Sequence, residues 1–325
     1  MMIDRFNRRI NYLRVSVTDR CNLRCRYCMD EQGVKLLPKK EILTIEDFIF
    51  TINTLAENGI EKVRITGGEP LIKRGILTLL ENINKKNLKE LTLTTNGVLL
   101  EDYAEKLKKA GVNRLNISLD TLNREKFKYI TRRDFFNNVV KGIKKAKDVG
   151  FYPIKINIVA IKGFNNDEII DFVKFAIEYD LQVRFIEFMP FGEFGKDKFI
   201  SNKEIFEIIS KKFKLEAKNQ KEFLSGPAKI YKIKNYQGEV GFISPLSEHF
   251  CGTCNRIRLI SNGSIKTCLF SKELYSIKDE IKNRDKQRLI KRVKDILQNK
   301  PKSHEVDIQK IKFKKCQHEM NWIGG

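Results

Sequence analysis

Between residues 12 and 188 the chain alternates short β-branched runs with longer amphipathic stretches, and it does so six times. The runs at 12–17, 63–66, 91–94, 114–119, 155–161 and 183–188 read as strands. The stretches at 44–58, 75–83, 101–110, 135–149 and 167–179 read as helices. In the first of these, Ile45, Phe48, Ile49, Ile52, Leu55 and Ala56 share one face, Thr44 stands at the N-cap and Gly59 lies just past the end. Strand–helix units in series require parallel strands joined by right-handed crossovers. Six units are too few to close an eight-fold barrel. We therefore expect an α/β fold built on a partial, open, TIM-like β/α barrel, with functional residues gathered just after the strand C-termini.

Beyond about residue 190 the rhythm breaks. Gly192, Gly195, Gly226 and Pro227 punctuate a stretch with a helix at 202–213 and short strands at 230–233 and 239–243. A charged helix is expected at 277–298. We divide the chain into a barrel core at 4–220 and a smaller α+β region at 221–325. No internal repeat and no low-complexity segment is visible.

Cys21, Cys25 and Cys28 stand as C-x3-C-x2-C directly after the first strand. Three thiolates on one short loop can hold three irons of a cubane and leave the fourth without a protein ligand, which is the open position that metal catalysis needs. The competing reading is a zinc knuckle. Zinc sites usually pair their cysteines as two C-x2-C units or use a nearby histidine, and the first histidine here is His249.

With Tyr27 before its last cysteine, this motif resembles that of the radical S-adenosylmethionine (SAM) superfamily. The Gly67-Gly68-Glu69-Pro70 segment after the second strand resembles the superfamily's second signature. Read alone it is a turn; read as in the superfamily, its glycines let backbone approach a ligand. The resemblance implies a 4Fe–4S cluster on the three cysteines and SAM chelating the open iron. SAM would then be cleaved by an electron from the cluster to methionine and a 5′-deoxyadenosyl radical. It also implies SAM contacts at Tyr27, Gly68, Ser118 and Met189.

A second triad, Cys251, Cys254 and Cys268, is spaced C-x2-C-x13-C. His249, His304, Cys316 and His318 are possible further ligands, so a Cys3His zinc site stays open on spacing alone. Arg256 and Arg258 follow at alternate positions of a short strand and so project to one side beside the metal. Such guanidiniums can fork onto phosphate or base acceptors; alone, they could equally be surface salt-bridge partners.

The segment FCGTCNRIRL at 250–259, with Cys268 beyond it, resembles the GTP 3′,8-cyclases of molybdenum cofactor biosynthesis. So do RVSVTDR at 14–20, VRITGG at 63–68, TTNG at 94–97, NISLD at 116–120, RFIEFM at 184–189 and the terminal Gly324-Gly325. The likeness runs over nearly the whole chain. It implies a lyase that joins the ribose 3′ carbon of GTP to C8 of guanine, with a second 4Fe–4S cluster on the later triad. It places GTP against Arg14, Arg64, Thr95, Lys155, Arg256 and Arg258. Arg14, Arg256 and Arg258 are the catalytic candidates, placed to steady the radical left after ring closure. The Gly-Gly end is expected to reach the site rather than fray, and Cys316 is read as a free thiol. The resemblance also implies a homodimer, an electron donor such as flavodoxin or ferredoxin, and cyclic pyranopterin monophosphate synthase as the downstream enzyme.

The formal net charge of +22 draws polyanions, but much of it is lysine on helix faces, such as Lys141, Lys144, Lys145 and Lys147. Cysteines in two tight clusters, with no apolar leader at 1–9, fit metal ligation in a reducing cytoplasm. No apolar run is long enough to span a membrane. Two rivals remain. A radical SAM peptide-modifying enzyme would typically carry more C-terminal cysteines. A zinc-stabilised RNA-binding protein would leave the GGEP loop unexplained, and no RNA-binding module or stacking platform appears. We expect no nucleic-acid partner.

Overall fold

A computed structural model describes residues 1–33, 36–83, 88–189, 195–218 and 226–304. Its order is β1 (Tyr12–Ser16), α1 (Ile45–Glu57), β2 (Lys62–Thr66), α2 (Ile76–Asn82), β3 (Glu90–Thr95), α3 (Leu100–Lys109), β4 (Arg114–Ser118), α4 (Arg124–Thr131) and α5 (Phe136–Asp148). Then come β5 (Lys155–Ala160), α6 (Ile169–Tyr179), β6 (Gln182–Glu187), α7 (Asn202–Ser210), β7 (Leu215–Ala217), β8 (Lys229–Ile233) and β9 (Glu239–Ile243). The chain continues with β10 (Arg256–Leu259), β11 (Ser264–Lys266), β12 (Tyr275–Ser276), α8 (Lys278–Lys282) and α9 (Lys286–Leu297).

The strands form one open sheet in the order β12-β11-β10-β1-β2-β3-β4-β5-β6-β9-β8-β7. β1 to β6 are neighbours in sequence order and parallel, as strand–helix alternation requires. The C-terminal region then adds a parallel strand at each edge: β10 pairs with β1 and β9 with β6. A partial α/β barrel is thus extended on both sides by residues that sequence alone sets apart. The remaining edge strands are antiparallel.

Period-two alternation sorts the strand residues between two environments. One face carries Leu13, Val15, Val63, Ile65, Leu93, Ile117, Ile156, Val183 and Ile257, packed with Phe48, Leu55, Leu79, Leu107, Val139 and Phe172 of the helices. The opposite face carries Arg14, Lys62, Arg64, Thr92, Asn116, Lys155, Gln182 and Arg184, all buried. The apolar core therefore lies between sheet and helices, and the concave interior is polar. A buried polar interior needs partners, and that makes it the place to look for a site.

Local signals agree with the helices where capping chemistry is explicit. Thr44 and Asp47 form a reciprocal capping box at the start of α1, and Gly59 takes φ +114° just beyond its end. Two local readings change. The charged stretch at 277–298 is two helices, because Arg284 turns left-handed (φ +55°) and Asp285 caps a new start by accepting from the Arg288 N–H. And α4, capped by Asn123, occupies a stretch that its sparse apolar residues left unassigned.

Candidate active site

Both cysteine triads open onto one cavity of about 300 Å³ at the C-terminal ends of the parallel strands. Its wall also includes Arg14, Tyr27, Arg64, Gly68, Thr95, Ser118, Met189, Arg256 and Arg258. Of the residues singled out from sequence, the possible ligand His249 is not on that wall, and neither is Lys155. It begins β5 one inward position before Asn157, which is. Cys316, His318, Gly324 and Gly325 lie outside the described residues, as does the 220/221 division.

The first triad is held by its surroundings as well as by its own loop, where the Cys28 and Met29 N–H groups donate to the Cys25 carbonyl (2.9 and 3.0 Å). The Arg24 and Arg26 N–H groups donate to the Thr131 and Ile130 carbonyls (3.0 and 2.9 Å) at the end of α4. Arg132, left-handed at φ +55°, donates back to the Arg24 and Met29 carbonyls. The Tyr27 hydroxyl donates to Asp120 Oδ2 (2.6 Å), whose other oxygen accepts from the Val159 N–H (2.9 Å). Burial pushes the Asp120 carboxyl up to about 6.

Gly67 and Gly68 have a different first duty from the ligand approach read in the sequence. A Cβ on Gly68 would meet the Arg20 carbonyl oxygen at 2.1 Å, and one on Gly67 would meet that of Thr18 at 2.7 Å. The Gly68 and Glu69 N–H groups donate to those same carbonyls (2.7 and 2.8 Å). The glycines therefore let the loop after β2 lie flush against the backbone that leads into Cys21. Glu69 continues the clamp: its carboxylate accepts from the Thr95 hydroxyl (2.8 Å), the Asn96 N–H (2.7 Å) and the Leu71 N–H (3.0 Å). Burial brings its carboxyl up to about 7.

The donor chemistry fits an iron–sulfur cluster. Cys21 Sγ accepts from the Leu23 N–H (3.4 Å) and the Asn96 amide (3.8 Å), the kind of support a ligating thiolate receives from its outer shell. Burial and Glu69 raise the free Cys21 thiol to about 11, and burial raises Cys25 well above its usual range. Loading metal on these sulfurs must therefore release protons.

The second triad sits in the opposite field. Burial alone would raise Cys254, but Arg256 and Lys300 beside it bring the thiol down to about 6. His249 and His304 stand next to Cys251, with Nδ1 of one 3.1 Å from Nε2 of the other. His304 also faces the Pro245 carbonyl (2.9 Å) and packs on Phe270.

Between the triads the wall is strongly cationic. Arg14 is aligned with Arg258 on one side and Arg64 on the other, across three parallel strands. Arg184 and Arg256 complete five arginines on the wall, and Asp120 is the one carboxylate there among the described residues. Burial and the neighbouring guanidiniums depress Arg258 to about 10 and Arg184 to about 9. Arg258 Nε and the Tyr12 hydroxyl are buried with no hydrogen-bond partner among the described residues. Cations massed in this way, with donors left over, suit a dense anion such as a polyphosphate. Arg184 was not singled out in the sequence, although it opens the RFIEFM segment; its inward register on β6 was the available signal.

A model of the Radical SAM superfamily matches residues 15–176, and one of Molybdenum Cofactor Synthesis C matches residues 181–306. GTP 3′,8-cyclase of Desulforamulus reducens is 45% identical over 311 residues, covering 94% of this chain and 96% of the relative. That of Syntrophomonas wolfei is 45% identical over 325 residues, covering 98% and 95%. The chain belongs to the GTP 3′,8-cyclase family. Membership implies a 4Fe–4S cluster and SAM. Among solved structures, Streptococcus suis SuiB bound to SAM superposes with a TM-score of 0.59 at 19% identity. That match covers 83% of this chain but only 64% of SuiB. The anSMEcpe enzyme with bound AdoMet superposes at 0.56 and 20% identity, covering 85% and 82%. At these identities the likeness concerns the fold, an open α/β barrel. Among the described residues no helix is long and apolar enough to cross a membrane.

Proposed function

We infer that this chain is a radical SAM lyase that cyclises GTP to (8S)-3′,8-cyclo-7,8-dihydroguanosine 5′-triphosphate, the first step of molybdenum cofactor biosynthesis. The observation that carries the substrate reading is the five-arginine wall set between two cysteine triads in one cavity. The first cluster and SAM, when bound, supply one-electron chemistry: hydrogen abstraction at the ribose 3′ position, after which that carbon joins C8 of guanine.

The chain's own residues bind, aim and shield. We assign Cys21, Cys25 and Cys28 to the first cluster, and Tyr27, Gly68, Ser118 and Met189 to SAM. Tyr27 does this while tethered to Asp120, so it acts as a wall more than as a hydrogen-bond donor. Arg14, Arg64, Thr95, Arg256 and Arg258 are assigned to GTP, with Lys155 joining from below the wall. Arg14, Arg256 and Arg258 also steady the radical left after ring closure. Cys251, Cys254 and Cys268 are assigned to a second 4Fe–4S cluster facing the guanine; the family resemblance and the cationic pocket around Cys254 support this. We further propose a cytoplasmic homodimer with a core at 4–220 and a cluster-bearing region at 221–325. It would draw electrons from a flavodoxin or ferredoxin and pass its product to cyclic pyranopterin monophosphate synthase.

The test is anaerobic reconstitution with iron and sulfide, then incubation with GTP, SAM and dithionite. About eight irons per chain with GTP-dependent 5′-deoxyadenosine is the expected result. Deoxyadenosine formed regardless of GTP would move the substrate to a peptide. Zinc in place of iron, with no SAM cleavage, would end the reading.

A further inference from the structure

Lys300 follows α9 and is only 2% exposed. Its ammonium donates to Cys254 Sγ (3.5 Å), the Arg256 carbonyl (2.9 Å) and the Thr267 carbonyl (2.7 Å). No carboxylate among the described residues pairs with it. A buried ammonium without an acid is expensive, and two carbonyls satisfy its hydrogen bonds without neutralising its charge. Among its three acceptors, the Cys254 sulfur is the one that can carry negative charge. Its three acceptors also lie on both segments that carry the second triad, the Cys254–Arg256 turn into β10 and the residue before Cys268.

The field around the first triad is mixed: Glu69 raises Cys21 and Asp120 raises Cys25, while Arg24, whose guanidinium donates to the Cys21 carbonyl (2.6 Å), lowers Cys21. A cation that donates to a ligating sulfur stabilises added negative charge, and so favours the reduced cluster.

We propose that Lys300 tunes the second 4Fe–4S cluster, donating to the Cys254 sulfur and holding that cluster at a higher reduction potential than its cysteines alone would give. The inference rests on reading Cys251, Cys254 and Cys268 as cluster ligands. Lys300 acts here as a positioning and tuning residue; it does not reach the cavity wall.

The experiment uses the full-length protein with both clusters reconstituted. Iron is counted first, and the midpoint potentials are then read by EPR-monitored titration. The signal that SAM leaves unperturbed is assigned to the second cluster. Lys300→Met should lower that potential, Lys300→Arg should keep it near the parent value, and the SAM-sensitive signal should stay put in both. An unmoved potential in Lys300→Met at full iron content would overturn the inference. Should Lys300→Met lose the cluster, Lys300→Arg against Lys300→Gln decides, with equal potentials counting against it. A parent protein holding only about four irons would instead remove the second cluster itself, a result that the iron count reveals before any variant is made.

Discussion

Arg14 on β1 is the direct register partner of Arg258 on β10, so two buried guanidiniums lie side by side where a sheet ordinarily avoids like charges. Arg258 works against the charge on Arg14, and an anion bound between them would relieve this. Arg258→Ala should therefore do two opposite things. Affinity for GTP should fall about 10- to 100-fold, the loss of a charge-assisted hydrogen bond of roughly 1.5–3 kcal/mol. Thermal stability of the GTP-free protein should hold or rise. Equilibrium binding and anaerobic melting curves check both, and unchanged affinity would take Arg258 out of the substrate site.

Gly68→Ala tests whether the loop after β2 supports the first cluster by contact. The new methyl would stand 2.1 Å from the Arg20 carbonyl oxygen and 2.5 Å from its carbon. Backbone cannot yield there without moving Cys21. Iron content should drop from about eight to about four per chain, with the second cluster's EPR signal retained. Full iron in this variant would mean that the loop relaxes without disturbing the thiolates.

Arg132 anchors the cysteine loop from α4, donating to the Arg24 and Met29 carbonyls on either side of Cys25 and Cys28. Arg132→Ala leaves two carbonyls to find water and should cost about 1–3 kcal/mol. Its clearer signature is kinetic: a chelator should strip the first cluster faster than in the parent, while the second is unaffected. Equal stripping rates would show that the Arg24 and Arg26 backbone bonds suffice.

These two variants also mark where the sequence could be read and where it could not. The parallel strands were legible because β-branched runs at regular spacing leave few alternatives, and the two cysteine triads because their spacing is local. The α4 anchor was not, since Phe127 and Ile130 alone give too little apolar period to mark a helix. Nor was the pairing of β9 and β10 with opposite edges of the barrel. Which strand pairs with which is a long-range choice, and the short run at 256–259 looks the same at an edge or alone. Arg184 and Lys300 escaped for the same reason: their importance comes from who surrounds them, and the neighbours are far away in sequence.

Lys155 carries the strongest pH prediction. Burial, with Arg184, Arg114, Arg64 and Lys62 adding to it, depresses its ammonium from the ordinary 10.5 to about 5. Between those values the unfolded chain holds a proton that the folded chain lacks, so the stability of the free protein should rise with pH across that window. At neutral pH Lys155 is then uncharged in the empty site. A triphosphate settling above it would favour the ammonium, so GTP binding should take up protons. Calorimetry in two buffers of different ionisation enthalpy measures that uptake directly. Lys155→Met should reduce the uptake and flatten the pH dependence of melting. If the parent shows no uptake, or the variant leaves it unchanged, Lys155 belongs to the floor of the barrel with Lys62 and Glu90, which pair at 2.8 Å, and not to the substrate.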